Sequence, residues 1–290
     1  MKGLIQAVSA YLIWGCFPLF FYLLKHVPAL EVLSFRIVFA CLFSFILIAY
    51  FGELRSFLEH FKSKSTVILT MLSSLLITIN WFVFIWAVGA GMVIESSLGY
   101  FMTPLVSLLL GAVFLKEQLS RYQMIAGLLA VLAVVVELVL LGKIPWVSVA
   151  LALSFGMYGL VRKQQKIESL HGLTIETLWA LPVAVCVLIY TQKTTGSVTS
   201  FSASTYGLLA FSGIVTAVPL LLFASSVRKL NLVVAGFLMY LNPTMQFFTA
   251  IFIFGETAPL QRFITFGIVW LAMLFFIYGM VKTYRGRSRA

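Results

Sequence analysis

The chain contains no aspartate: all nine of its acidic residues are glutamate. That absence removes any mechanism built on an aspartate pair, an Asp-held magnesium ion or an intramembrane aspartyl protease. Charge of either sign is scarce, at 10% of residues, whereas hydrophobic residues reach 62% and mean hydropathy is +1.07. Soluble domains carry about 45–50% apolar and about 25% charged residues. A soluble globular protein, a disordered chain and a peripheral protein with one anchor are therefore excluded. Only three cysteines occur, Cys16, Cys41 and Cys186, widely spaced inside apolar runs. Their spacing matches no metal site and no disulfide framework. No GxxxxGK[ST] loop is present to bind and hydrolyse ATP, and no HExxH helix or GxSxG elbow. Voltage-sensor arginine spacing and the TVGYG potassium filter are missing too. The three histidines, His26, His60 and His171, fall in or near loops, where solvation is expected, and no metal motif contains them. The chain reads as a non-enzyme with no cofactor and no metal.

What is present is a series of apolar runs. A helix needs about 20 apolar residues to cross a bilayer, and ten runs qualify: 3–24, 30–51, 66–88, 92–114, 121–141, 145–161, 173–191, 205–227, 232–254 and 260–282. They leave almost nothing for a soluble domain. The runs are continuous, without the alternation of transmembrane strands, so the expected class is an all-α membrane protein of ten transmembrane helices. The first run is too long for a signal peptide and precedes no small-residue cleavage site, so it reads as a retained helix. Ten spans place both termini on one side. Fifteen of the 20 Lys and Arg residues fall on that side; Lys25, Lys143, Lys193 and Arg262 fall on the other, and Arg36 lies within a span. The positive-inside rule makes the terminal side cytoplasmic. The net charge of +11 is distributed between apolar runs, so the expected partner is the bilayer, with the basic tail on anionic lipid, and not nucleic acid.

A shift of 139 residues aligns the two halves through the fourth and ninth runs. Pro104 falls on Pro243, Glu117 on Glu256 and Thr103 on Asn242, while Trp14-Gly15 meets Phe155-Gly156 at a shift of about 141. The spans divide five and five, giving repeats over 1–141 and 142–290, the second with the short basic tail. Five is odd, so the second repeat enters the membrane inverted, as in many secondary transporters.

The segments "PLVSLLLGAVFLKEQLSRYQMIAG" and "PTMQFFTAIFIFGETAPLQRFITFG" resemble the EamA repeats of the drug/metabolite transporter superfamily. "YLIWGCFPLFFYLLKHVPALEVLSFRI", "NWFVFIWAVGAGMVIESSLGYFMTPL" and "SFGMYGLVRK" resemble its RarD branch, known for chloramphenicol sensitivity. The resemblance runs from about residue 3 to residue 282. It implies a bacterial inner-membrane permease, with export as the favoured direction, and names no substrate. The family's Gly-Glu pair stands as Gly255-Glu256 in one half but Lys116-Glu117 in the other, which implies that the first turn does not need glycine.

Several residues are candidates for a transport site. Pro104 and Pro243 lie near the middles of their spans, and proline removes the bond to the carbonyl four residues back. The carbonyls of Tyr100 and Met239 are then expected to be free at membrane depth, tolerable only within protein or beside a watery cavity. The paired prolines are candidate hinges; kinks that improve packing are the plainer reading. Asn80, Asn242 and Gln246 are amides at mid-depth, for a cavity or for gluing helices together. Trp14, Trp81, Tyr100, Tyr158, Trp179 and Tyr240 are candidate aromatic walls for a planar or cationic solute. Arg36 lies about 9 Å into its span, where a charge is costly, and Glu95 just inside the fourth. They are candidates for substrate carboxylate binding, gating or proton coupling, or for a structural pair. Glu176 and Glu137 are shallow enough to be interfacial. Glu117 and Glu256 are expected to sit before the next helix of their own half, favouring its positive N-terminal end.

The function read from these features is movement of a small organic metabolite, amino acid or drug by alternating access. A membrane sensor or scaffold that transports nothing is the alternative, and a lipid-modifying enzyme a third reading that lacks clustered His or Asp. Small-xxx-small pairs, Ser107/Gly111 and Ala126/Ala130, serve packing within one chain or a homodimer.

Overall fold

The computed structural model describes residues 2–90, 92–141, 146–255 and 260–287. Among them every regular element is helical. In order these are α1 (Lys2–Gly15), α2 (Phe17–Tyr22), α3 (Ala29–Tyr50), α4 (Leu54–Glu59), α5 (Lys64–Gly89), α6 (Val93–Phe114), α7 (Arg121–Leu141), α8 (Trp146–Gln164), α9 (Ser169–Thr195), α10 (Ala203–Val227), α11 (Leu232–Leu238), α12 (Leu241–Phe252) and α13 (Leu260–Arg287), with short 3-10 turns at 60–62 and 197–199. Six segments are long and apolar enough to cross a membrane, counting α1–α2 and α11–α12 as one each, and three shorter apolar stretches lie in α6, α7 and α13. α8 is not among them. It ends in Arg162, Lys163 and Gln164, and most of its residues are buried against neighbours. A helix shielded from lipid on most sides does not need a lipid-like surface.

Two runs that look continuous are broken. The first divides at Cys16 ahead of Pro18, and the ninth at Met239–Tyr240 ahead of Pro243. At the second break Asn242 N donates to Met239 O at 2.9 Å in a tight turn. The Met239 carbonyl is therefore satisfied by backbone, contrary to the sequence expectation. α6 by contrast runs unbroken through Pro104. Close approaches flank the divided span. A Cβ on Gly15 would stand 2.7 Å from Met245, and one on Gly236 would stand 2.6 Å from the Ser107 Cβ. Only glycine lets α1 and α6 approach α12 and α11 so closely.

Helix partnerships exchange between the two halves. α1 packs on α10 and on α11–α12, as α8 packs on α5 and on α6; α3 packs on α10 as α9 packs on α5; α3 meets α9, and α7 meets α13. Ala126 and Ala130 are buried in the α7–α13 contact, and Ser107 faces Gly236, so both small-residue pairs serve packing within the chain.

The turn after α6 corrects one expectation. Lys116 is left-handed, with φ 52°, and the residue that the 139 shift lays on it, Gly255, has φ 66°. The turn does require the conformation glycine supplies, and Lys116 adopts it at a cost of about 1–2 kcal/mol.

Candidate functional site

Two buried polar sites lie toward opposite ends of α5. The first is a cavity between both halves. Trp14, Phe17, Arg36, Asn80, Trp81, Phe84, Tyr100, Phe155, Met239, Asn242 and Gln246 line it, around about 30 Å³ open to the centre of a water molecule. That is room for about two waters, so this conformation is nearly collapsed on its own lining.

The apolar wall is aromatic. Trp14 meets Phe155 edge-on at 5.5 Å, and Phe84 meets Tyr100 at 5.6 Å. The polar side is an amide group and a guanidinium. Asn80 donates from Nδ2 to Leu151 O and Ser154 Oγ, both at 3.1 Å, fastening α5 to α8 while lining the cavity. Gln246 Nε2 donates to Asn242 Oδ1 at 2.8 Å, across the one helical turn that separates them. Arg36 is 2% exposed. Its Nε donates to Thr216 Oγ1 on α10 at 2.9 Å, and its Cζ lies 4.8 Å from the Phe21 ring centre, 5.0 Å from Trp81 and 5.9 Å from Phe17.

The second site is a network joining α5, α8 and α9. Glu176 accepts from Ser73 Oγ at 2.5 Å, from Tyr158 OH at 3.3 Å and from Arg162 Nη1 at 3.4 Å. Arg162 also donates to Gln165 Oε1 at 2.6 Å and to Ser169 O at 3.3 Å, and Gln165 reaches Leu69 O and Ser73 Oγ. Ser74 Oγ donates to the Glu176 carbonyl at 2.6 Å. Glu176 is thus buried, not interfacial: α8 covers it, and its charge is met by Arg162.

A latch on the same end crosses between the halves. Glu117 accepts from the first amides of α11, Leu232 N at 2.8 Å and Val233 N at 3.1 Å. Lys163 lies 3.5 Å from its carboxylate and donates to Leu230 O and Val227 O. Glu117 therefore caps a helix of the other half and not the next helix of its own. The left-handed turn at Lys116 and the bond from Glu117 N to Gly111 O aim it there.

The structure thus brings together Arg36, Asn80, Trp81, Tyr100, Asn242, Gln246 and Trp14. It places Tyr158 in the Glu176 network instead. Trp179 donates to Thr70 Oγ1 at 3.3 Å on the outer surface. Tyr240 packs between Phe101 and Phe237. Pro104 and Pro243 are buried but do not line the cavity. The side chains of Glu95 and Glu137, and all of Glu256, lie outside the described residues, and so does any Arg36–Glu95 pair.

The histidines are not simply solvated. His171 is buried; its Nδ1 meets His60 Nε2 and its Nε2 meets Glu53 Oε2, each at 2.9 Å, while His26 bonds Thr205. Burial, and then the His171 ring, hold the His60 pKa below its ordinary value. Ligand atoms of Glu53, Glu168 and His171 lie within 4.8 Å of one another, a cluster invisible in sequence because more than 100 residues separate Glu53 from the other two. The hydrogen-bond chain occupies both His171 nitrogens and accounts for the approach of Glu53 to His171.

A family model described as the EamA-like transporter family matches residues 1–139. The "Uncharacterized transporter YojE" of Bacillus subtilis is 38% identical over 98% of this chain and 96% of its own. "Protein RarD" of Escherichia coli is 36% identical over 99% and 98%. The "Chloramphenicol-sensitive protein RarD" of Pseudomonas aeruginosa is 27% identical over 99% and 97%. A crystal structure of a protein 14% identical in sequence matches with TM-score 0.71 over 95% of this chain and 97% of its own, which shows a shared fold. With full-length relatives at this identity, the chain belongs to the EamA-like transporter family, in the RarD branch of the drug/metabolite transporter superfamily.

Proposed function

We propose that this membrane transporter moves a small organic solute by alternating access across the bacterial inner membrane, with both termini cytoplasmic and export favoured. Ten spans act as two inverted repeats, over 1–141 and 142–290. The carrying observation is the cavity, which draws Arg36, Asn80 and Tyr100 from one half and Phe155, Asn242 and Gln246 from the other. The exchange of helix partners supports the repeat reading, because two similar units related by an approximate two-fold axis make the same contacts with roles reversed. The end fastened by the Glu176 network and the Glu117 latch is the closed end of this conformation. At the other end the halves are joined by hydrogen bonds, His26 to Thr205 and Ser197 to Glu31, and by no ion pair among the described residues. Separating the Glu117 carboxylate from α11 would free the latched end; Gly15 and Gly236 are the contacts about which the divided span would turn.

Solute counterflow tests the reading. Purified full-length chain in proteoliposomes, loaded with a pooled set of metabolites and amino acids, should show saturable exchange of at least one compound. Replacing Asn242 with Trp to fill the cavity should abolish it. Exchange by no compound, or undiminished exchange with the cavity filled, overturns the proposal in favour of a sensor or scaffold.

A further inference from the structure

Two arginines are buried to the same degree, each 2% exposed, and their surroundings differ in kind. Arg162 has a carboxylate, Glu176, at 3.4 Å, an amide oxygen and a backbone carbonyl. Arg36 has one hydroxyl, on Thr216, and three aromatic faces. A guanidinium has five N–H donors in one plane; Thr216 takes one, and the other four have no acceptor among the described residues. Among those residues no carboxylate meets Arg36.

Burying an ion without a counter-charge is costly; Arg162 has Glu176 for that purpose, although its own Nε has no acceptor among the described residues. The rings on Arg36 offset part of that cost through their quadrupoles. They contact the guanidinium over three ring faces, and besides Thr216 no hydrogen-bond acceptor among the described residues meets it. A fixed fork of parallel N–H groups matches the two oxygens of a carboxylate. The neighbouring wall of Trp14, Phe84, Tyr100 and Phe155 suits a flat apolar body, and Asn80, Asn242 and Gln246 add amide groups to the same lining.

We infer that the transported solute is an organic mono-anion with a planar ring, its carboxylate paired to the edge of Arg36 and its ring between the aromatic walls. This deepens the proposed function and rests on it for the word transported, while the binding claim stands separately. The cavity as it stands holds only about two waters, so the bound state requires the walls to part and the solute to supply a counter-charge that no described carboxylate supplies. Occupation would then neutralise Arg36, and the loaded carrier would present a less polar interior than the empty one.

The test uses the full chain in lipid nanodiscs and three probes of one shape and different charge: benzoate, benzamide and benzylamine. Binding is read by thermal shift, since a ligand of the native state raises its stability, and by titration calorimetry. Benzoate should bind at least tenfold more tightly than benzamide, and benzylamine should not bind. Arg36→Gln should reduce the benzoate preference to under twofold, and Arg36→Lys should restore part of it. Glu95→Gln should leave the preference in place. Equal binding of the three probes, binding of none of them, or a benzoate preference that survives Arg36→Gln overturns the inference. A benzoate preference that rises tenfold or more in Glu95→Gln also overturns it, because Arg36 would then be held by an internal pair that competes with the solute. Counterflow with the same probes separates the two claims. Exchange of benzamide without benzoate keeps the transporter and removes the anion; benzoate binding without any exchange keeps the anion site and removes the transporter.

Discussion

Arg36 and Glu176 sit at roughly corresponding places in the two halves, each about two turns into its helix, and each is 2% exposed. Glu176 is wired on every side, to a serine, a tyrosine and an arginine. Arg36 has a threonine and rings. Equal burial with unequal pairing distinguishes a fastening from a site. The first spends its hydrogen bonds inside the protein and holds helices together; the second keeps them back for something that arrives.

The sharpest way to break that contrast is to remove each charge in turn. Glu176→Gln leaves the Arg162 guanidinium without its counter-charge and should cost about 3–5 kcal/mol, read by denaturant unfolding in detergent. Arg36→Gln removes an ion that no carboxylate among the described residues meets and should leave stability unchanged or raised. Equal losses at the two positions would collapse the distinction. The double replacement Arg162→Met/Glu176→Leu should recover most of the loss, because an ion pair exchanged for well-packed apolar groups is often neutral.

A smaller effect bears on the latch at the wired end. Glu117→Gln removes a charged cap from two α11 amides and the partner of Lys163, and should cost about 1–2 kcal/mol. It should also raise cysteine-labelling rates near Leu230 when a cysteine is placed there. Labelling that stays slow would show that the Glu176 network closes this end alone. The smallest effect is at Lys116. Lys116→Gly relieves the left-handed strain and should stabilise by up to about 1 kcal/mol, reduced by the added freedom of the unfolded chain. A loss instead would mean that the lysine side chain holds the turn.

The helical class and the cavity amides were legible in sequence because hydropathy and mid-span polarity are local properties. Asn80, Asn242 and Gln246 stand out against apolar neighbours, and the structure gathers them. What was not legible depends on which helix covers which. Glu176 lies near a helix start and reads as interfacial until α8 is seen lying over it. Glu117 reads as a cap for the helix that follows it in the chain; its true target is 115 residues away. His60 and His171 are 111 apart, and no spacing rule reaches that far. Pro243 marks a break whose freed carbonyl the chain satisfies with a tight turn, a choice set by local geometry that composition does not encode.

The position of the Glu117 carboxylate also bears on how the protein is made. α11 has seven residues, too short to persist as an isolated helix, and its first two amides are satisfied by a side chain synthesised more than a hundred residues earlier. α11 therefore reaches its final form only when the Glu117 carboxylate is in place to receive it.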